Sequence, residues 1–104
     1  MKLQKLGCPV RRVEPFAAYL DGTVDGVPKD AFWAAALTGI DADAILGLAR
    51  RMASCRTMIS ISWSLTRQQY GEQPYWAAIS LAAMLGQIGL PGGGFGFGYA
   101  IANH

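Results

Sequence analysis

Apolar residues dominate one long stretch, Gly71–Gly98, in which only Glu72 is ionised. Its first half, Tyr75–Ile88, reads YWAAISLAAMLGQI and is apolar on nearly every side of a helix. Such a helix has to be covered along its length, by other protein or by a bound molecule. Pro74 suits the first turn, where its missing N–H costs little, and Gly89 and Pro91 mark the end. The second half carries glycines at 92, 93, 94, 96 and 98. That density gives up chain entropy, and it predicts a loop whose backbone comes close to another backbone or to a ligand.

Upstream, Phe16, Ala17, Tyr19 and Leu20 predict a turn or two of helix that stops at Asp21-Gly22, with a loop at Gly26-Val27-Pro28. Asp30 is placed to cap a helix running through AFWAAALT to Gly39, a natural C-terminal stop. Asp41 is placed to cap the next, ADAILGLARRMAS. There Ile45, Leu48, Ala49 and Met52 recur at spacings of three and four, and Arg50 and Arg51 lie towards the negative end of the dipole. In Arg56–Trp63, Met58, Ser60 and Ser62 alternate with Ile59, Ile61 and Trp63, which predicts a strand. The polar loop SLTRQQYGEQ follows. The order helix–helix–strand–loop–helix predicts an α/β layered fragment, mostly helical as an isolated chain. A single strand cannot make a sheet, so its neighbours are expected outside this sequence.

Composition sharpens that expectation. The 104 residues suffice for one domain at most, and 52% are hydrophobic against 15% charged. So apolar a surface favours burial against a partner. The net charge of +2 is small and its basic residues are scattered, which argues against nucleic acid. Cys8 and Cys55 have neither CxxC nor histidine-spaced partners, so they are read as free thiols rather than a zinc site or a disulfide framework. MKLQKLGCPVRR has no apolar core of a secretory signal, and Tyr75–Ile88 falls short of the ~20 residues that span a bilayer. The reading is of a soluble protein without a membrane segment.

Candidate chemistry lies where the strand ends. Ligands of open α/β sheets sit beyond the carboxyl ends of strands, and the loop there holds Ser62, Ser64, Thr66, Arg67, Gln68 and Gln69. Hydroxyls and amides can hydrogen-bond a heterocycle edge, and the Arg67 fork suits a phosphate. The helix that follows can turn its positive end to the same anion. An ordinary solvated connection is the competing reading. The glycine-rich loop fits no GxGxxG or GK[ST] pattern, so packing against neighbours is favoured over a phosphate cradle. Trp33 and Trp76 are expected in a core, whereas Trp63, at the strand–loop junction, is open to stacking. Glu72 is explained by its place in a first helical turn, and His104 supports no Ser/His/Asp arrangement. No catalytic or metal-ligating residue is assigned.

The segment Arg56–Tyr99, RTMISISWSLTRQQYGEQPYWAAISLAAMLGQIGLPGGGFGFGY, resembles an internal piece of the molybdopterin oxidoreductases. Within them it is similar to the dimethyl sulfoxide, trimethylamine N-oxide and biotin sulfoxide reductase group. GEQ, an apolar helix and then MLGQIGLPGGGFG carry the likeness, and DGVPKDAFWAAALTGIDADAILGLARRMA resembles the group's paired helices before this strand. The resemblance spans about Phe16 to Asn103. It implies an unmatched segment over residues 1–15 and, over 16–104, part of a dinucleotide-binding-like parallel-sheet domain.

In such enzymes a molybdenum atom held by molybdopterin guanine dinucleotides removes oxygen from an S-oxide or N-oxide and is then re-reduced. The resemblance implies cofactor contacts at Trp63, Ser64 and Arg67, and further along at Gln69 and Tyr70. Ser62 and Tyr70 depart from the glycine and histidine of many relatives. The serine that ligates molybdenum belongs to a region outside these residues, and Ser60, Ser62 and Ser64 do not replace it. The chain is thus expected to be a fragment that contributes to cofactor binding and is inactive alone, its partner being the remainder of the enzyme. The alternatives are a cofactor-free homo-oligomer that pairs through the apolar helix 75–88, and a stand-alone nucleotide-binding module. Relatives work in the periplasm or the cytoplasm, so the compartment stays open.

Overall fold

The structure, a computed structural model, describes residues 13–99. The chain divides after Arg50 into two compact units. In the first, helix α1 spans Val13–Leu20. Its end is fixed by Gly22, whose φ of 77° is left-handed and whose Cβ, if present, would meet the Pro28 nitrogen at 2.6 Å. The Lys29 amide donates to the Leu20 carbonyl at 2.8 Å and closes the intervening loop. The Lys29 side chain, only 7% exposed, pairs with Asp25 and lies over the Tyr19 ring, 4.3 Å from its centroid.

Helix α2 covers Ala31–Thr38, between the two residues expected to bound it. The Asp30 carboxylate accepts the Trp33 N–H at 2.8 Å, and Gly39, at φ 73°, donates its own N–H to the Ala35 carbonyl. These bonds satisfy helix-end groups that would otherwise lack partners. Helix α3, Ala42–Ser54, begins as the Ile45 amide donates to the Asp41 carbonyl at 3.1 Å.

In the second unit strand β1 is Met58–Ile61, followed by a 3-10 helix over Trp63–Arg67, then α4 at Glu72–Leu85 and strand β2 at Gly94–Phe97. Strands β1 and β2 are parallel, in the register Met58↔Gly94, Ile59↔Phe95, Ser60↔Gly96 and Ile61↔Phe97. The expectation of one strand without a neighbour is therefore corrected: half of the glycine-rich stretch is that neighbour. Gly-Phe-Gly-Phe lacks the β-branched residues that announce a strand. Its glycines serve close approach, for Gly94 and Gly96 are buried, and a Cβ on Gly96 would lie 2.3 Å from the Tyr99 ring.

Helix α4 packs on both strands and stops earlier than the sequence suggested, at Leu85, with Gly86 in the left-handed C-cap at φ 67°. Just beyond it, the Gln87 side chain reaches back to the approach to β1. Its Oε1 accepts the Thr57 amide at 2.6 Å, while its Nε2 donates to the Cys55 carbonyl at 2.8 Å.

Ala82, on α4, is the one fully buried hydrophobic residue among those described. Trp33 and Trp76, expected in a core, are 39% and 60% exposed. For Trp76 the reason is volume: a two-stranded sheet under a single helix has too little surface to enclose an indole ring. Phe32, Leu37, Ile79 and Leu81 likewise remain exposed.

Candidate functional site

The carboxyl ends of β1 and β2 lie side by side because the strands are parallel. At the end of β1 the backbone of Ser62 is still extended (φ −88°, ψ 147°), and its Oγ accepts the Ser64 amide at 3.3 Å, capping the 3-10 helix. Ser62 and Ser64 hydroxyls are 2.9 Å apart, and the Thr66 hydroxyl donates to the Trp63 carbonyl at 2.8 Å. This short helix is therefore held by its own serine and threonine side chains, which explains why a stretch without apolar periodicity is nonetheless ordered.

Of the residues that the sequence singled out, Trp63, Ser64 and Arg67 stand on this 3-10 helix, and all are exposed. With three residues per turn, positions three apart eclipse one another, so Ser64 and Arg67 share one side of it. No described carboxylate pairs with Arg67; the one ion pair among the described residues is Lys29–Asp25. Gln69 and Tyr70 lie on the bend that follows, both exposed. Tyr70 adopts φ 58°, the only positive φ of a non-glycine residue among those described. Gly71 is buried where the bend returns, and a Cβ there would meet the Leu65 carbonyl oxygen at 2.5 Å and Thr66 Cα at 2.7 Å. Backbone contact thus fixes the 3-10 helix against the start of α4.

Three residues of this edge were not singled out from the sequence. The Phe97 ring lies 5.9 Å from that of Trp63, tilted by 43°, and Tyr75 meets Phe97 edge-on at 6.2 Å. The Tyr75 hydroxyl donates to the Ser62 carbonyl at 2.8 Å. Tyr99 lies against Gly96, two residues beyond β2, and is 65% exposed. Alternation of glycine and phenylalanine was the available clue to Phe97, while Tyr75 was hidden among apolar helix residues. Trp63 and Phe97 remain half exposed, at 50% and 51% respectively.

The edge so formed combines an open aromatic surface, hydroxyls and a guanidinium with no described carboxylate partner, a donor set suited to a planar heterocycle joined to phosphate. Among the described residues no group of three or more His, Cys, Asp or Glu could hold a metal ion. Nor is any helix there long and apolar enough to cross a membrane.

A parallel βαβ unit whose crossover helix carries a single charged residue, Glu72, places the chain among α/β proteins. The sequence pattern of the molybdopterin oxidoreductases matches residues 10–103, and the chain belongs to that family. Over 86 residues, 83% of this chain, it is 63% identical to trimethylamine-N-oxide reductase 1 of Escherichia coli strain K12. It is 56% identical over 86 residues to biotin sulfoxide reductase of Cereibacter sphaeroides. Over 88 residues it is 52% identical to the dimethyl sulfoxide/trimethylamine N-oxide reductase of the same organism. The chain spans about a tenth of the length of these relatives, between 10% and 12%.

Proposed function

We propose that the chain is a segment of a molybdenum-dependent S-oxide or N-oxide reductase and supplies part of the surface that grips molybdopterin guanine dinucleotide. The reading rests on one observation above the rest. Ser64 and Arg67 share a side of the 3-10 helix, at the carboxyl edge of a parallel strand pair, with no described acidic partner to neutralise Arg67.

Each residue then has a task. Arg67 pairs with a phosphate oxygen through its fork, and Ser64 donates from the same side. Trp63 offers its exposed ring to a heterocycle, with the tilted Phe97 ring beside it. Gln69 and Tyr70, on the return bend, border the same surface. The β1–α4–β2 unit is read as part of a dinucleotide-binding-like domain in which further strands extend the sheet. When bound, the cofactor would supply the metal that accepts the oxygen atom; this segment holds and orients it. As a tenth of a relative's length, the chain contributes binding and not turnover, and its partner is the remainder of the enzyme.

The test is Arg67→Ala in an intact trimethylamine N-oxide reductase that carries residues 16–103 of this chain in place of its own matching segment. Loss of a charge-assisted bond worth about 1.5–3 kcal/mol lowers cofactor retention by an order of magnitude or more. Unchanged molybdenum content per polypeptide would defeat the reading. The 104-residue chain alone, assayed with reduced viologen and either oxide, is expected to show no turnover.

A further inference from the structure

We infer that Tyr75 is a positioning residue: its hydroxyl, bound to the Ser62 carbonyl at 2.8 Å, sets where the Trp63–Arg67 helix sits. The inference builds on the cofactor reading above but concerns an interaction that no cofactor contact requires.

Ser62 is the last extended residue before the chain turns, so the direction of its carbonyl decides how the 3-10 helix leaves β1. That carbonyl has two partners. It accepts the Leu65 amide at 3.4 Å, a long bond, and the Tyr75 hydroxyl at 2.8 Å, a good one. The stronger hold on the turn therefore comes from α4, 13 residues further along the chain. The ring of Tyr75 is itself fixed, edge-on to Phe97 at 6.2 Å, and Phe97 in turn lies 5.9 Å from Trp63. One side chain thus touches the turn at its backbone and the aromatic surface beside it.

The lengths of the elements make this hold rigid. Gln87, past the far end of α4, binds the chain at Cys55 and Thr57, just before β1. From Thr57 to Ser62 an extended chain rises about 16 Å, and from Tyr75 to Leu85 a helix rises about 15 Å. Helix and strand match, so α4 acts as a splint tied to β1 at both ends. Motion of the turn away from α4 requires the Tyr75 bond to break.

The decisive variant is Tyr75→Phe, which keeps the ring against Phe97 and deletes only the donor. It is made in the intact reductase carrying residues 16–103 of this chain, alongside Arg67→Ala. Hydrogen exchange of the apo-protein is followed in peptides covering 63–67 and 57–61, with molybdenum content measured after cofactor loading. The expected result is faster exchange over 63–67, unchanged exchange over 57–61, and about fivefold weaker cofactor retention, the effect of one neutral hydrogen bond.

Unchanged exchange over 63–67 in Tyr75→Phe overturns the inference. So does equal acceleration over both peptides, which marks general loosening rather than positioning. Selective acceleration over 63–67 with molybdenum content untouched by Arg67→Ala upholds the role of Tyr75 and defeats the cofactor reading instead.

Discussion

Gln87 stands in for a strand residue against Thr57. Its side-chain amide takes the Thr57 N–H through Oε1 at 2.6 Å and gives its own N–H to Cys55 at 2.8 Å, the pair of bonds a parallel neighbour opposite Arg56 would make. The true neighbour takes over one step later, when the Gly94 amide donates to the Thr57 carbonyl at 3.1 Å. The side chain therefore lengthens the ladder by one rung before β2 has arrived. It also explains Gly93, where a Cβ would meet Gln87 Cβ and the Gln87 carbonyl oxygen, both at 2.8 Å.

Gln87→Leu, in the intact reductase carrying this segment, should cost about 1–3 kcal/mol, because it leaves the half-buried Thr57 amide without a partner. Amide exchange at Thr57 checks it. Gln87→Glu keeps the acceptor and loses the donor to Cys55. Protonation in acid restores a donor, so the exchange defect is expected to shrink as pH falls.

Gly71→Ala should displace the 3-10 helix although the backbone at Gly71 is ordinary, at φ −60°. The new methyl meets main-chain atoms of Leu65 and Thr66 at 2.5–2.8 Å, and these cannot swing aside as a side chain tip would. Overpacking of this kind costs about 1–3 kcal/mol. Gly89→Ala is the control: it has open space around its Cβ and strains only through a φ of 84°. A melting-temperature loss for Gly71→Ala no larger than for Gly89→Ala would refute the steric account.

Tyr70 adopts a left-handed backbone that disfavours a bulky side chain. Tyr70→Asn should therefore relieve about 1 kcal/mol of strain, since asparagine tolerates that conformation. Urea unfolding reads the gain. If Tyr70 also borders the cofactor, the more stable variant will retain less molybdenum, a trade of stability for binding.

Asp25 has its carboxyl held below the ordinary value of 3.8, first by the hydrogen bond from Lys29 and then by the Val27 amide. A lowered folded-state pKa stabilises above the unfolded value, and the contribution disappears as pH falls through the folded one. The loop between α1 and α2 should thus stay closed down to below pH 3.8 and open in stronger acid. Carbon-detected NMR titration of the Asp25 carboxyl follows it directly. In Lys29→Met the midpoint should move back up.

Where local chemistry alone decides an element, the sequence disclosed it. Asp30 and Gly39 bound α2 because a side-chain cap and a left-handed stop need nothing from elsewhere in the chain. The alternation at Met58–Ile61 likewise survives as a strand whose isoleucines are half-buried and whose Met58 and Ser60 are exposed. What escaped notice depends on contacts distant in sequence. Gly94–Phe97 is a strand only because β1 lies beside it, and Gly86 ends α4 ahead of the more conspicuous Gly89 and Pro91 because Gln87 must turn back to Thr57. At the site, the positions of Trp63, Ser64 and Arg67 at a strand end followed from the strand itself. Phe97 and Tyr75 joined them through register and a bond spanning the crossover, which the Gly-Phe alternation only hints at for Phe97 and no local pattern encodes for Tyr75.

Strands β1 and β2 pair only with each other, so each turns one flank of amides and carbonyls outward with no strand partner among the described residues. Produced by itself, the chain would carry two sticky borders beside exposed rings such as Trp76 and Phe97. Such borders recruit copies of themselves, and the practical outcome is precipitation or fibre growth in place of a tractable solution. A soluble preparation would call for flanking strands, or for lysines planted along those borders, before any ligand is added.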